Sequence, residues 1–186
     1  MKRFFDICLS ATWLLLLIVP MLGISFLVKF SSSGPILHWS NRVGRKNYLF
    51  KMPKFRTMRV GAPQLATHLL GDSNKYVTPL GSFLRKTSLD ELPQLWSILI
   101  GDMSFVGPRP ALFNQDDLII LRNQHGIQEL LPGLTGWAQI NGRDNLSIQD
   151  KVQYDLEYLH RKSFYFDLKI LFLTFRGVFD CVGISH

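Results

Sequence analysis

Between Ile7 and Val28 the chain runs for 22 residues without a charge, and only Ser10, Thr12, Pro20, Gly23 and Ser25 interrupt the apolar sequence. Lys2 and Arg3 precede this run and Lys29 ends it. As a helix it measures about 33 Å at the ~1.5 Å rise per residue, enough for a hydrocarbon core of about 30 Å. A cleaved signal peptide fits poorly, because the run is too long and Ser31-Ser32-Ser33-Gly34 does not resemble a small-x-small cleavage site. Two readings stay open. The helix either crosses the bilayer or enters it, breaks at Pro20 and returns, since a mid-helix proline removes a backbone hydrogen bond and crowds the preceding turn. Basic residues on both flanks (Lys2 and Arg3; Lys29, Arg42, Arg45 and Lys46) give no clear orientation signal. Either way the segment lies in the membrane.

After Gly34-Pro35 the pattern changes. Residues Leu37–Asn41 and Tyr48–Lys54 alternate like two short strands around a Val43-Gly44-Arg45-Lys46 turn, a β-hairpin. Residues 59–77 show no clear period and read as a loop or weak helix. Ser88-Leu89-Asp90-Glu91 has the form of a capping box, followed by an apolar stripe of Leu89, Leu92, Trp96 and Leu99. Pro93 is tolerated only near a helix start, so the first turn could shift by a few residues, and Gly101 supplies a stop. Gly107-Pro108-Arg109-Pro110 forms one stiff turn, and Pro132-Gly133 with Gly136-Trp137 a second. Two more helices are expected. Ile148–Arg161 carries Val152, Leu156 and Leu159 on one side. The last helix has Asp167 as a cap and a body Leu168–Val182 bearing Phe172, Phe175 and Phe179. Lys169, Arg176 and Asp180 interrupt that body too often for a span, leaving core or the interface plane, and the nearby membrane segment favours the latter. The expected fold is α+β and mainly helical: a membrane-embedded part over residues 1–30, and one further domain over residues 31–186 with a short hairpin and interfacial amphipathic helices.

Hydrophobic residues make up 47% of the chain, yet Lys+Arg outnumber Asp+Glu by 21 to 14, a net charge of +7. Together these suit a protein that buries apolar surface in lipid and offers a basic face to head groups or phosphorylated ligands. Nucleic acid is the competing partner, but a nucleic-acid surface sets aromatics among its basic residues for stacking. Here Phe4, Phe5, Trp13, Phe26, Phe30, Phe164 and Phe166 sit in the apolar end segments, which argues for lipid. Cys8 and Cys181 belong to no C-x-x-C pair and have no histidine cluster beside them, so they read as ordinary apolar residues rather than zinc ligands.

The candidate chemistry is the pair Asp90–Glu91. Side chains of adjacent helical residues diverge by about 100°, so the two cannot share one proton face to face, but they can take separate roles. A helix N-terminus favours the ionised carboxylate, which suits a nucleophile or a hard-cation ligand, although acidic residues in a first turn often do no more than cap it. Basic residues stand around the pair in sequence at or beside turns: Lys54 and Arg56 after the hairpin, Arg85 and Lys86 just before the pair, Arg109 between two prolines, and Arg143 after Gly142. Arginine binds phosphate oxygens through paired hydrogen bonds, so these stations point to a phosphorylated ligand at the bilayer surface.

Five separated blocks then match one family in its order: Lys2-Arg3-x-x-Asp6; Lys54-Phe55-Arg56-Thr57-Met58; Arg85-x-x-Ser88-Leu89-Asp90-Glu91-Leu92-Pro93-Gln94-Leu95; Gly101-Asp102-Met103-Ser104-x-Val106-Gly107-Pro108-Arg109-Pro110; and Pro132-Gly133-x-Thr135-Gly136-Trp137-Ala138-Gln139-x-Asn141-Gly142-Arg143. Over essentially its whole length the chain resembles the bacterial sugar transferases, the monotopic phosphoglycosyl transferases that begin glycan assembly on undecaprenyl phosphate. The resemblance implies a re-entrant helix broken at Pro20 with both ends cytoplasmic, at the cytoplasmic face of the bacterial inner membrane. It implies that Asp90 attacks the β-phosphorus of a UDP-sugar, releasing UMP, and that polyprenyl phosphate then takes the sugar phosphate from Asp90. Glu91 would assist, and Mg²⁺, held by Asp90 and Glu91, would neutralise the diphosphate. Lys54, Arg56, Arg85, Arg109 and Arg143 would contact phosphates. The chain resembles the small form of the family, without the further N-terminal membrane helices of its larger members. Resemblance to the small-form members points mildly to an N-acetylated hexosamine donor, with glucose and galactose open. Two departures stand out: Val19 precedes Pro20 where the family often has serine, and Leu131 precedes Pro132-Gly133 where it often has a basic residue. A UDP-releasing glycosyltransferase and a non-catalytic basic membrane adaptor are the competing readings.

Overall fold

The computed structural model describes residues 1–62, 76–142 and 145–179. Its first element, α1 (Lys2–Ser31), takes in the whole apolar run and continues through Pro20. Among the described residues it is the one helix long and apolar enough to cross a membrane. It lies against the rest of the chain along a single stripe. Asp6, Ser10 and Val28 are buried, while Leu9, Leu14, Leu17, Met21 and Ile24 pack on neighbouring cores. The opposite face, with Leu15, Leu16, Ile18, Val19, Leu22, Phe26, Leu27 and Phe30, is exposed. Serine hydroxyls turned back onto carbonyls (Ser10 to Asp6 O, Ser25 to Met21 O) satisfy polar groups within this apolar helix.

The expected hairpin forms, with its first strand extended to Val43 and its second shifted one residue toward the C-terminus. Strands β1 (Leu37–Val43) and β2 (Leu49–Phe55) pair antiparallel in a register running from Leu37 opposite Phe55 to Val43 opposite Leu49. A 3₁₀ turn over Arg45–Asn47 joins them, with Lys46 and Asn47 at positive φ. Helices α2 (Pro79–Lys86) and α3 (Gln94–Ile100) follow, then strand β3 (Ser104–Val106), helix α4 (Asp116–Gln124), strand β4 (Gly133–Thr135), and helices α5 (Trp137–Ile140), α6 (Ile148–Arg161) and α7 (Phe164–Phe179).

The β3–β4 pair was not anticipated. Two three-residue strands pair in parallel, Ser104 opposite Gly133 and Val106 opposite Thr135, where sequence suggested only stiff turns. Glycine makes the approach feasible: a Cβ on Gly133 would lie 2.1 Å from the Gly107 nitrogen. Residues 63–75, most of the stretch read as a loop or weak helix, lie outside the described residues.

The α3 stripe is a correction. Leu95 and Ile98 enter the core, whereas Trp96 and Ile100 are about half exposed, at 51% and 53%. Trp96 therefore does not point inward as its spacing from Leu89 and Leu92 suggested. Both faces of α3 are apolar, so periodicity alone did not distinguish core from outer surface. The last helix also differs: it begins at Phe164, and Ser163 accepts from the Phe166 N–H in the capping role given to Asp167. Asp167 instead lies in the first turn, buried and ion-paired to Lys2. On α7, Phe166 and Ile170 are buried while Tyr165, Phe172 and Phe175 are exposed. Helix α6 has the bounds expected from sequence, capped by Ser147, with Val152 buried.

The main core gathers Phe50, Met52, Leu95, Ile98, Met103, Phe105, Val106, Tyr158, Phe166 and Ile170 beneath the hairpin, α3, β3 and the C-terminal helices. A second cluster (Val28, Phe55, Leu84) joins the far end of α1 to β2 and α2. A third (Ala111, Leu118, Ile127, Val152) supports α4 and α6.

Candidate active site

Helix α2 ends at Lys86, and Ser88 takes a left-handed conformation at φ 55°. Leu89–Glu91 then form one 3₁₀ turn before α3 begins at Gln94. The capping box expected at Ser88 is absent, since its side chain makes no cap hydrogen bond. Pro93 gives the physical reason. It lacks an N–H, and its ring would clash with the Leu89 carbonyl in an α-helix begun at Ser88. In a 3₁₀ turn successive side chains project about 120° apart. Asp90 accordingly turns inward and is 7% exposed, while Glu91 points toward the basic residues.

Those residues come from three elements. Lys54, near the end of β2, donates to Glu91 Oε1 at 2.7 Å. Arg109, from the loop after β3, donates to the same oxygen at 3.3 Å. Arg85, in the last turn of α2, donates from Nε to Thr57 Oγ1 at 3.0 Å. Burial pushes the Asp90 carboxyl up to about 6; Lys54, Arg85 and Arg109 pull against that rise, and the neighbouring Glu91 carboxylate adds to it. Arg85 is reciprocally affected: burial lowers it and the Asp90 carboxylate opposes the fall. A buried carboxylate is weakly solvated, which suits a nucleophile, and the cations beside it suit an anionic ligand.

The loop that carries Arg109 is fixed from outside. The Pro108 carbonyl accepts from Gly133 N (2.9 Å), that of Arg109 from Arg122 Nη1 (2.9 Å), that of Pro110 from Arg42 Nη1 (3.1 Å), and that of Ala111 from Val43 N (2.9 Å). Arg122, on α4, is itself held by Asp155 of α6 through Nε at 3.0 Å and Nη2 at 2.6 Å.

Of the five basic residues proposed for phosphate, the structure brings Lys54, Arg85 and Arg109 to the carboxylate pair. Arg56 is turned elsewhere: its guanidinium donates to the Ser32 and Ser33 carbonyls and to Ser32 Oγ, closing the C-terminal end of α1. Arg143 lies outside the described residues. Among the described residues no group of three or more His, Cys, Asp or Glu gathers in a way that could hold a metal. Sequence reasoning missed Arg122 and Asp155, which belong to none of the five motif blocks. Their one sequence signal was an acidic residue within the apolar side of the α6 pattern.

A family model described as bacterial sugar transferase matches residues 1–181. The chain belongs to the bacterial sugar transferase family. It is 43% identical over 186 residues to the UDP-glucose:undecaprenyl-phosphate glucose-1-phosphate transferase of Escherichia coli (strain K12), covering 95% of this chain and 40% of that protein. It is 39% identical over its full length to the uncharacterized sugar transferase EpsL of Bacillus subtilis (strain 168), spanning 91% of it. The exopolysaccharide production protein ExoY of Rhizobium meliloti (strain 1021) is 37% identical, with 95% of this chain and 84% of the relative aligned. The chain thus spans well under half of the E. coli relative and most of the other two.

Proposed function

We propose that this chain transfers a sugar-1-phosphate from a UDP-sugar to polyprenyl phosphate at a membrane surface, with Asp90 as the nucleophile. Asp90 attacks the β-phosphorus, the bond from that phosphorus to the bridging oxygen breaks, and UMP leaves with the electron pair. A phosphate oxygen of the polyprenyl phosphate then attacks the phosphosugar on Asp90, restoring the carboxylate and giving polyprenyl-diphosphate-sugar. The observation that carries this reading is the burial of Asp90 among Lys54, Arg85 and Arg109, on a turn that directs Glu91 separately to Lys54 and Arg109. Lys54, Arg85 and Arg109 neutralise the developing charge on the diphosphate. Arg143 is a further phosphate contact in this proposal, and Arg56 contributes by keeping the end of α1 against the site.

Among the described residues no third His, Cys, Asp or Glu gathers with Asp90 and Glu91, and two adjacent carboxylates fit Mg²⁺ better than a metal requiring a protein cage, because Mg²⁺ keeps waters and takes ligands from substrate phosphates. Asp90 and Glu91 would hold it, and when bound it supplies charge neutralisation on the diphosphate.

The proposed membrane placement is re-entrant, at the cytoplasmic face of the inner membrane. It is supported by both ends of α1 being fastened to one body. At the start, Lys2 pairs with Asp167 at 2.5 Å, Arg3 donates to the Ile98 and Leu99 carbonyls, and Asp6 accepts from Phe105 N. At the end, Val28 is buried with Phe55 and Leu84, and Arg56 holds Ser32 and Ser33. A helix that crossed the bilayer would place these anchors on opposite sides. The exposed apolar residues of α1, with Trp96 and Ile100 of α3 and Tyr165, Phe172 and Phe175 of α7, form the lipid-facing surface in this reading.

Nucleotide product identity tests the reaction. UMP released in proportion to lipid-linked sugar phosphate supports it, UDP indicates simple glycosyl transfer, and no nucleotide indicates an adaptor. UDP-glucose is the first donor to assay, since it appears in the name of the E. coli relative. The pH profile has a definite sign. A nucleophilic Asp90 works as the carboxylate, so kcat/KM falls about tenfold per pH unit on the acid side of the Asp90 titration and is level above it; burial moves that break upward and a bound cation moves it back down.

A further inference from the structure

The sequence Gly107-Pro108-Arg109-Pro110 places Arg109 between two residues that have no N–H. Gly107 N–H donates to the Thr135 carbonyl at 2.9 Å, but beyond it the loop has few backbone donors of its own. Its carbonyls are held by other elements, and at Arg109 the holder is a side chain. Arg122 Nη1 meets the Arg109 carbonyl at 2.9 Å, while the same guanidinium commits Nε and Nη2 to Asp155. The Arg122 and Asp155 side chains are 12% and 2% exposed. The fork geometry of arginine makes one side chain serve both purposes: two donors fix its plane on the carboxylate and a third projects at a set angle. That third donor reaches the backbone of the residue whose own guanidinium contacts Glu91 at 3.3 Å.

We propose that Arg122 and Asp155 are positioning residues for the transfer reaction, clamping the Arg109 backbone so that its guanidinium is held at Glu91 and at the donor diphosphate. Neither touches substrate. Asp155 sets the plane of Arg122, Arg122 sets the Arg109 carbonyl, and Arg109 acts on the site. This rests on the proposed function for its catalytic consequence, whereas the clamp itself is a property of the loop. A pair serving stability alone would need only the Arg122–Asp155 contact.

The test uses the full chain in lipid nanodiscs with undecaprenyl phosphate and whichever UDP-sugar the wild type turns over best. Arg122→Lys keeps the charge and loses the fork; Arg122→Gln loses both. Each is expected to lower kcat by about 10- to 100-fold, the scale of a misplaced catalytic group, with donor KM changing far less. Asp155→Asn should behave alike and Asp155→Glu should recover part of the loss. In a double-mutant cycle, Arg122→Gln should add little to Arg109→Ala, because the two act through one group. Hydrogen exchange at the amides of Gly107, Arg109, Ala111 and Leu112 should quicken at least several-fold in the Arg122→Lys protein. If Arg122→Gln does not fold, the lysine variant carries the whole comparison. Multiplicative losses in the cycle, or unchanged exchange in the loop, would overturn the clamp. If wild type releases no UMP, the proposed function fails, and the exchange measurement alone still decides the clamp.

Discussion

Asp90→Asn is expected to unfold at a higher temperature than the wild type while losing at least about 10⁴-fold in turnover, the scale seen when a covalent nucleophile is removed. The gain in stability follows from the sign of the Asp90 shift. Its carboxyl is pushed up to about 6 because burial outweighs the attraction of Lys54, Arg85 and Arg109. The folded protein therefore binds a proton more tightly than the unfolded chain, and the stability this gives below about pH 4 is lost as pH rises to about 6. At neutral pH the ionised carboxylate costs up to about 3 kcal/mol, and an uncharged isostere removes that cost. For a chain of this size that corresponds to a rise of roughly 5–10 °C in Tm. The two proteins should converge in stability toward pH 4. An asparagine variant less stable than wild type at pH 7.5 would mean that the cations hold Asp90 in place more than burial strains it.

Lys2→Met has the second largest expected effect, on stability. Lys2 Nζ contacts Asp167 at 2.5 Å, the Val106 carbonyl at 2.9 Å and Tyr158 Oη at 3.2 Å. Tyr158 donates to the other Asp167 oxygen at 2.7 Å, and burial next to Asp167 raises the Tyr158 phenol, so this hydroxyl stays a donor. Removing the ammonium leaves the buried Asp167 carboxylate without its countercharge. Breaking a fully buried pair costs about 3–5 kcal/mol, and the partial exposure of Lys2 reduces this to about 2–3 kcal/mol. Thermal unfolding of Lys2→Met and of Lys2→Met/Asp167→Asn in nanodiscs checks the cause. The double variant should recover most of the loss. Equal destabilisation of both would trace the effect to packing of the first turn of α1 rather than to charge.

Local chemistry was legible in the sequence wherever it is carried by neighbours in the chain. The hairpin showed as alternation bracketing a Gly-containing turn, α6 as a periodic stripe, and α1 as an uncharged run. Asp90–Glu91 stood out once basic residues at turns were set beside it, and Lys54, Arg85 and Arg109 do converge there. What escaped depends on residues distant in sequence. Strands β3 and β4 are three residues each, too short for a period of two to register, and their pairing joins Ser104 to Gly133. Asp167 resembled a helix cap because its partner Lys2 lies at the other end of the chain. Arg56 and Arg85 looked alike as basic residues by turns, yet one closes a helix end and the other faces Asp90. The inward side of α3 was misread because both of its faces are apolar, so the spacing of Leu89, Leu92 and Trp96 does not say which face meets the core.

The central claim is that Asp90 carries the phosphosugar. Incubating the protein with a β-³²P-labelled UDP-sugar in the absence of polyprenyl phosphate, then denaturing it, measures this directly. Label should remain on wild type, in an amount matching the UMP released, and chase into lipid when polyprenyl phosphate is added before denaturation. The Asp90→Asn protein should retain none. Label kept by Asp90→Asn but lost in Glu91→Gln, or UMP formed with no labelled protein, would contradict the account.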